Sequence, residues 1–135
     1  MRILYGDLTL PVSQRLGDNL SRLLLQRENK EPREAVINFR DPKYSAERGG
    51  YHPVEIRLER SGHNWRICYI TDFCYVGQGQ DVELAKSLDF DFQAGMFQDI
   101  SGYYPIETAL QIYPIWEENF ITYWLEMQVF DVEVS

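Results

Sequence analysis

The chain has few of the residues from which metal centres and disulfide frameworks are built: two cysteines and two histidines in 135 residues. Cys68 and Cys74 fall within one expected strand, which sets them about 20 Å apart, beyond disulfide reach. They are expected to remain reduced, as in a cytoplasm. His52 and His63 have no partner at helical ligand spacing, and neither cysteine has a Cys-x-x-Cys mate, so no zinc and no other cofactor is expected. Asp89, Asp91 and Asp99 lack the alternating ligands and central glycine of a calcium loop. Strand alternation instead directs Asp89 and Asp91 to solvent and Phe90 and Phe92 to the core.

Positive charge is also scarce. Thirteen lysines and arginines against 21 aspartates and glutamates leave a formal charge of -8. Nucleic-acid binding draws most of its affinity from Lys and Arg on phosphates, so that class is excluded, and anionic lipid is repelled for the same reason. No apolar run approaches the roughly 20 residues that cross a bilayer, and Met1-Arg-Ile-Leu-Tyr5 runs into Gly6 and Asp7 rather than a signal core. No internal repeat or low-complexity tract divides the chain. Residues 1–135 are expected to form one domain, since a body of this size buries enough surface for a single core.

What the sequence does have is aromatic residues, 14% of the chain, and clear periodicity. Over residues 11–29, Val12, Leu16, Leu20, Leu23 and Leu24 recur at helical spacing, opposite Arg15, Asp18, Arg22 and Arg27. Thr9 is a candidate cap, Pro11 suits a first turn, and Gly17 weakens the middle. Residues 34–40 place Ala35, Ile37 and Phe39 on one face, and Val54, Ile56 and Leu58 alternate with Glu55, Arg57 and Glu59. Ser61-Gly-His-Asn64 then joins this strand to another over residues 65–76 as a hairpin; apolar residues on both faces mark that strand as central. Residues 82–88 are read as a short helical turn, followed by a strand at Leu88–Phe92. Ile106, Leu110, Tyr113, Phe120 and Trp124 follow a helical period, with a kink or a break into two helices expected at Pro114. Residues 127–134 close the chain as a strand, with a bulge at Val129-Phe130. The fold class is α+β: an antiparallel sheet with an N-terminal helix and C-terminal helices on one face, and a final C-terminal strand.

Chemistry concentrates in the connection between the first two of these strands. Arg40, Asp41, Tyr44, Glu47, Tyr51 and His52 lie there, and Asp72 lies across the sheet. Much of this is architecture: Asp41-Pro42 and Gly49-Gly50 are turn formers, Arg40 and Asp41 are placed to pair, and Pro53 holds His52 extended. A polar loop rich in Tyr and Arg is also a recognition surface. For catalysis, Ser45 or Thr71 with His52 and Asp41 or Asp72 supplies the residue types of a triad, but no Gly-x-Ser-x-Gly elbow surrounds either hydroxyl. Gly77-Gln-Gly79 superficially matches a phosphate turn and lacks its third glycine and its Lys-Ser/Thr pair, which points to a turn with positive φ.

The segment Ile37-Asn-Phe-Arg-Asp-Pro-Lys-Tyr-Ser-Ala-Glu-Arg-Gly-Gly-Tyr-His-Pro-Val-Glu-Ile56 resembles the characteristic stretch of a bacterial family, the domain of unknown function 2787. Tyr69-Ile-Thr-Asp-Phe-Cys-Tyr-Val-Gly77, Leu88-Asp-Phe-Asp-Phe92 and Trp116-Glu-Glu-Asn-Phe120 resemble it too. The resemblance implies no established activity, and a gamma-proteobacterial protein often carried with mobile elements. In architecture alone, the acidic chain is also similar to the acidic mitochondrial matrix glycoprotein family, whose members form ring-shaped trimers and bind many proteins. This chain is shorter and lacks a long acidic insert, so neither property carries over. The functional expectation is a non-catalytic protein-binding or accessory module of the bacterial cytoplasm with a basic partner, attracted by the negative field. The alternatives are a small-molecule-binding or hydrolytic enzyme using the Arg40–His52 loop and Asp72, and a structural homo-oligomer.

Overall fold

The computed structural model describes residues 3–4, 8–26 and 33–135. Eight strands form one sheet: β1 (Ile3–Leu4), β2 (Glu34–Arg40), β3 (Val54–Ser61), β4 (Asn64–Val76), β5 (Glu83–Asp91), β6 (Met96–Asp99), β7 (Gly102–Pro105) and β8 (Asp131–Val134). Their order is β7-β6-β5-β4-β3-β2-β8, antiparallel throughout, with β1 pairing parallel to the first residues of β4. β4 is the central strand, as its two apolar faces imply. The β3–β4 hairpin closes with Ser61 opposite Asn64, so Gly62 and His63 are its two-residue loop.

Strand alternation sorts the sheet into two faces. Ala35, Ile37, Phe39, Val54, Ile56, Leu58, Ile70 and Phe90 are buried on one of them, in a single apolar cluster with the helices. Helix α1 (Gln14–Gln26) contributes Leu16 and Leu20, with Leu23 and Leu24 partly buried beside them. Its cap is Ser13 rather than Thr9: the Ser13 hydroxyl accepts the Leu16 N–H at 3.1 Å, the bond an N-cap residue makes to the third helical position. Residues 27–29 of the expected helix lie outside the described residues.

The opposite face carries charge. Arg57 pairs with Glu34 (2.7 Å) and Glu59 (3.1 Å), and Tyr69 donates to Glu55. Asp89, expected in solvent, is buried here: Thr71 donates to its Oδ1 at 2.8 Å and Lys86 Nζ lies 3.3 Å from its Oδ2. A neighbouring hydroxyl and cation make that burial tolerable, because a buried carboxylate needs partners.

Two other expectations shift, and one element is new. Residues 83–91 are one continuous strand, and the helical turn sits earlier, at Gly79–Asp81. Gly77 just before it has φ +102°, and a Cβ there would lie 2.2 Å from the Asp81 carbonyl oxygen, so the glycine pair serves a tight turn. The hairpin β6–β7 has no counterpart among the sequence expectations. Val129-Phe130 is not a bulge; it belongs to the turn entered through Gln128 at φ +54°, which launches β8.

β7 and β8 are opposite edges of the sheet, so the chain between them must cross the helical face. It does so as a short 3₁₀ turn (Ile106–Ala109), helix α2 (Ile112–Ile121) and one π-helical turn (Thr122–Glu126), where the Met127 N–H reaches the Thr122 carbonyl five residues back. Pro114 occupies the first turn of α2, where its missing N–H costs nothing, so two helical pieces form and no kink is needed. Aromatic contacts trace the crossing: Tyr113 and Trp116 meet Phe90 of β5, and Phe120 and Trp124 meet Phe39 of β2.

Candidate functional site

Where α2 passes over the ends of β3 and β4, the β2–β3 connection rises beside it and leaves a hollow of about 330 Å3. Asp41 builds the loop. Its Oδ1 accepts the Lys43 N–H at 2.9 Å and its Oδ2 accepts the Tyr51 N–H at 3.1 Å, tying the two ends together in place of the expected Arg40–Asp41 pair. Gly50 is required beside it. With φ +138°, it puts the position of a Cβ 2.9 Å from both Asp41 Oδ2 and the Tyr44 Cα, so any side chain collides. Tyr44 pins the loop to β4: its hydroxyl accepts the Tyr75 N–H at 3.0 Å, and its ring stacks on Tyr75 with centroids 5.0 Å apart.

On the hollow's floor, Asp72 of β4 faces the core side of the sheet and is only 8% exposed. Its two carboxylate oxygens are held from opposite sides. Oδ1 lies 2.7 Å from His52 Nδ1, and Oδ2 accepts the Trp116 indole N–H at 2.8 Å. The Asp72 hydrogen bond raises the His52 pKa above its ordinary 6.5, against partial burial that lowers it. With Nδ1 engaged, Nε2 is the ring atom left for a ligand. Asn119, one turn beyond Trp116, also lines the hollow, and its side-chain amide makes no hydrogen bond among the described residues. The rest of the lining is mainly rings: Tyr51 and Tyr123, 4.6 Å apart between centroids, with Phe120 and Phe130.

The seven candidate residues therefore divide. Tyr51, His52 and Asp72 converge on this hollow. Arg40, Asp41 and Tyr44 line a second one of about 270 Å3 on the other side of the loop. Glu47 lines neither and is exposed at the loop tip. The triad hydroxyls are elsewhere: Ser45 accepts the Arg48 N–H within the loop, and Thr71 bonds Asp89 on the far face. Among the described residues no three His, Cys, Asp or Glu side chains gather as a metal site, both cysteines are free, and no helix is long and apolar enough to cross a membrane.

Sequence reasoning missed Trp116, Asn119 and Tyr123. Their spacing of three and four residues was a signal, because it places all three on one side of a helix. It missed Glu117 too, which is buried at 5% exposure and accepts hydrogen bonds from the Tyr113 hydroxyl (2.6 Å) and the Ser13 N–H (3.0 Å). Burial and Glu117 together hold the Tyr113 hydroxyl protonated, its pKa well above 10.

The fold and site define an α+β domain with a seven-strand antiparallel path, helices on one face and an aromatic hollow at their crossing. Residues 14–135 match the family described as protein of unknown function (DUF2787), and the chain belongs to that family. Two solved structures from Vibrio cholerae are similar. The hypothetical protein VC0508 of the VSP-II pathogenicity island is 36% identical, with a TM-score of 0.84 over 97% of this chain and 98% of its own. The conserved hypothetical protein VC1805 of pathogenicity island VPI-2 is 39% identical, with a TM-score of 0.85 over 98% of this chain and 100% of its own. VC1805 is reported to share structural homology with the human P32 protein, in keeping with the architectural likeness drawn from the sequence. No curated protein matches the chain.

Proposed function

We propose that the chain is a non-catalytic binding module of the bacterial cytoplasm, an accessory protein that receives a protruding group of a basic partner protein in the hollow beside His52 and Asp72. The observation that carries this reading is the preassembled wall. The loop is locked by Asp41 and Tyr44, the floor by the two bonds to Asp72, and the lining is aromatic with only a few polar atoms left to orient a ligand. Such a concave, largely apolar site with convergent polar groups is the usual form of a recognition pocket. A net charge of -8 favours a basic partner and speeds the encounter at low salt. The pathogenicity-island origin of both similar proteins supports an accessory role carried with mobile elements.

The test is a screen of mixed peptides and fragments by amide and indole NMR at low and high salt. Ligands that shift the Trp116 indole together with Tyr51 and Asn119, and basic peptides that weaken as salt rises, are the expected result. Hits that all map elsewhere, or none, would sink the reading.

A second reading, hydrolysis, is favoured by the His52–Asp72 pair, because a carboxylate on Nδ1 orients Nε2 as a general base. It requires water or a substrate hydroxyl as nucleophile, since among the described residues the hydroxyls lining the hollow are those of Tyr51 and Tyr123. Turnover of an ester or amide panel that vanishes in His52→Gln would establish it in place of the first.

A further inference from the structure

The charge and hydrogen-bond state of the hollow narrow what can fill it. Among the described residues no Lys, Arg or Glu lines it, so the formal charges they give it are those of Asp72 and, when protonated, His52. Anionic ligands therefore find no fixed cation. The rings that line it carry negative π faces, which attract a positive group set against them. Most biological cations, however, are recognised through their N–H groups: a guanidinium or primary ammonium donates to carboxylate oxygens. Here those oxygens already accept from His52 and Trp116. An N–H cation must share the remaining lone pairs of those oxygens with His52 and Trp116 or reach Asn119 and the tyrosine hydroxyls, and any of its donors left against aromatic carbon is a costly unmet one. A fully alkylated ammonium escapes the conflict, because it carries charge without donors and needs only a negative potential and π faces.

Resting on the reading of the hollow as a binding site, we propose that its ligand group is a quaternary ammonium, of the kind borne by a trimethylated lysine side chain or by free choline. The volume of about 330 Å3 accommodates such a head and a short stem. His52 then sets the strength of binding. Protonated, it cancels the charge of Asp72 and leaves the hollow neutral; deprotonated, it keeps its Nδ1–H on Asp72 and leaves one net negative charge beneath the rings. The titratable groups around His52 are Asp72 from β4, Tyr44 and Tyr51 from the loop and Tyr123 from the π turn; Trp116 and Asn119 of α2 do not titrate. His52 changes charge near neutrality, so affinity rises as pH rises through its titration.

The experiment is a titration of the full chain, followed by the Trp116 indole and Tyr51 amide signals. The probes are choline, its neutral carbon isostere with a quaternary carbon in place of nitrogen, arginine amide, and a short peptide with one trimethyllysine. The expected result is binding of choline or the peptide at least about tenfold tighter than of the isostere or arginine amide, and tighter at about pH 8.5 than at about pH 5.5. Tyr123→Leu should weaken it about fivefold or more. Preference for the peptide assigns the group to a partner protein, and preference for choline to a small molecule; either upholds the proposal. Equal binding of the isostere at the same residues overturns the cation class while leaving the hollow a binding site. No shift with any probe also overturns it, and the peptide and fragment screen then decides the wider reading by itself. The isostere and pH comparisons use the unaltered chain, so they hold even if Tyr123→Leu misfolds.

Discussion

Glu117 Oε2 accepts the backbone N–H of Ser13 at 3.0 Å, joining α2 to the start of α1 across 104 residues of sequence. The same oxygen accepts the Tyr113 hydroxyl, so one buried carboxylate serves a helix entrance and a core phenol together. Glu117→Ala strands both donors in the interior and is expected to destabilise the chain by about 2–4 kcal/mol. Glu117→Gln keeps a carbonyl acceptor and should cost clearly less. Urea unfolding of the two variants, with unchanged denaturant slopes, checks the difference.

The His52–Asp72 pair makes stability depend on pH in a definite direction. The folded pKa of His52 is raised above 6.5, so the fold binds the proton more tightly than the unfolded chain does. That contribution is fully present below 6.5 and is lost as pH rises through the higher folded value. The imidazole is nearly half exposed, so solvent screening keeps the effect small. Melting temperatures of the parent and His52→Gln from acid to alkaline pH should therefore converge as pH climbs through that window. Curves that stay parallel would remove the coupling.

Gly50→Ala tests whether the loop is built around Asp41. The new methyl meets Asp41 Oδ2 and the Tyr44 Cα at 2.9 Å on a backbone with φ +138°. The expected cost is about 1–3 kcal/mol, accompanied by loss of the protected Tyr51 amide in hydrogen exchange. Ala at Gly49, where a Cβ meets nothing within 4 Å, pays only for its positive φ and should be milder.

Phe39 is fully buried and touches Phe120, Trp124 and Phe130. Phe39→Ala should remove about 3–5 kcal/mol, a large share of the roughly 5–15 kcal/mol of a domain this size. Phe39→Leu retains most of the volume and should cost less. Loss of near-UV circular dichroism in the Ala variant alone would show that this ring organises the aromatic crossing.

Much of the fold was legible because its causes are local. Alternation over Glu34–Arg40 and Val54–Ser61, and a two-residue Gly62-His63 loop, specify strands and register through neighbours a few residues away. The hairpin β6–β7 was not legible, since its strands of four residues are too short to show a period. Asp89 misled the alternation rule because Thr71 and Lys86, which satisfy it, come from other positions of the folded sheet.

The candidate site divides along the same line. Composition and spacing alone determined an acidic α+β chain with a turn-rich polar loop and named seven candidates, Arg40, Asp41, Tyr44, Glu47, Tyr51, His52 and Asp72, because charge sums and short-range periodicity need no folded context; the fold then brought Tyr51, His52 and Asp72 together. Only the tertiary structure decided that Trp116, 44 residues beyond Asp72, would hold its second oxygen, and that Asn119 and Tyr123 would complete the wall. Those contacts exist because the chain must cross from one sheet edge to the other, and the path of that crossing is set by the packing of Tyr113, Trp116 and Phe120 on rings from distant strands.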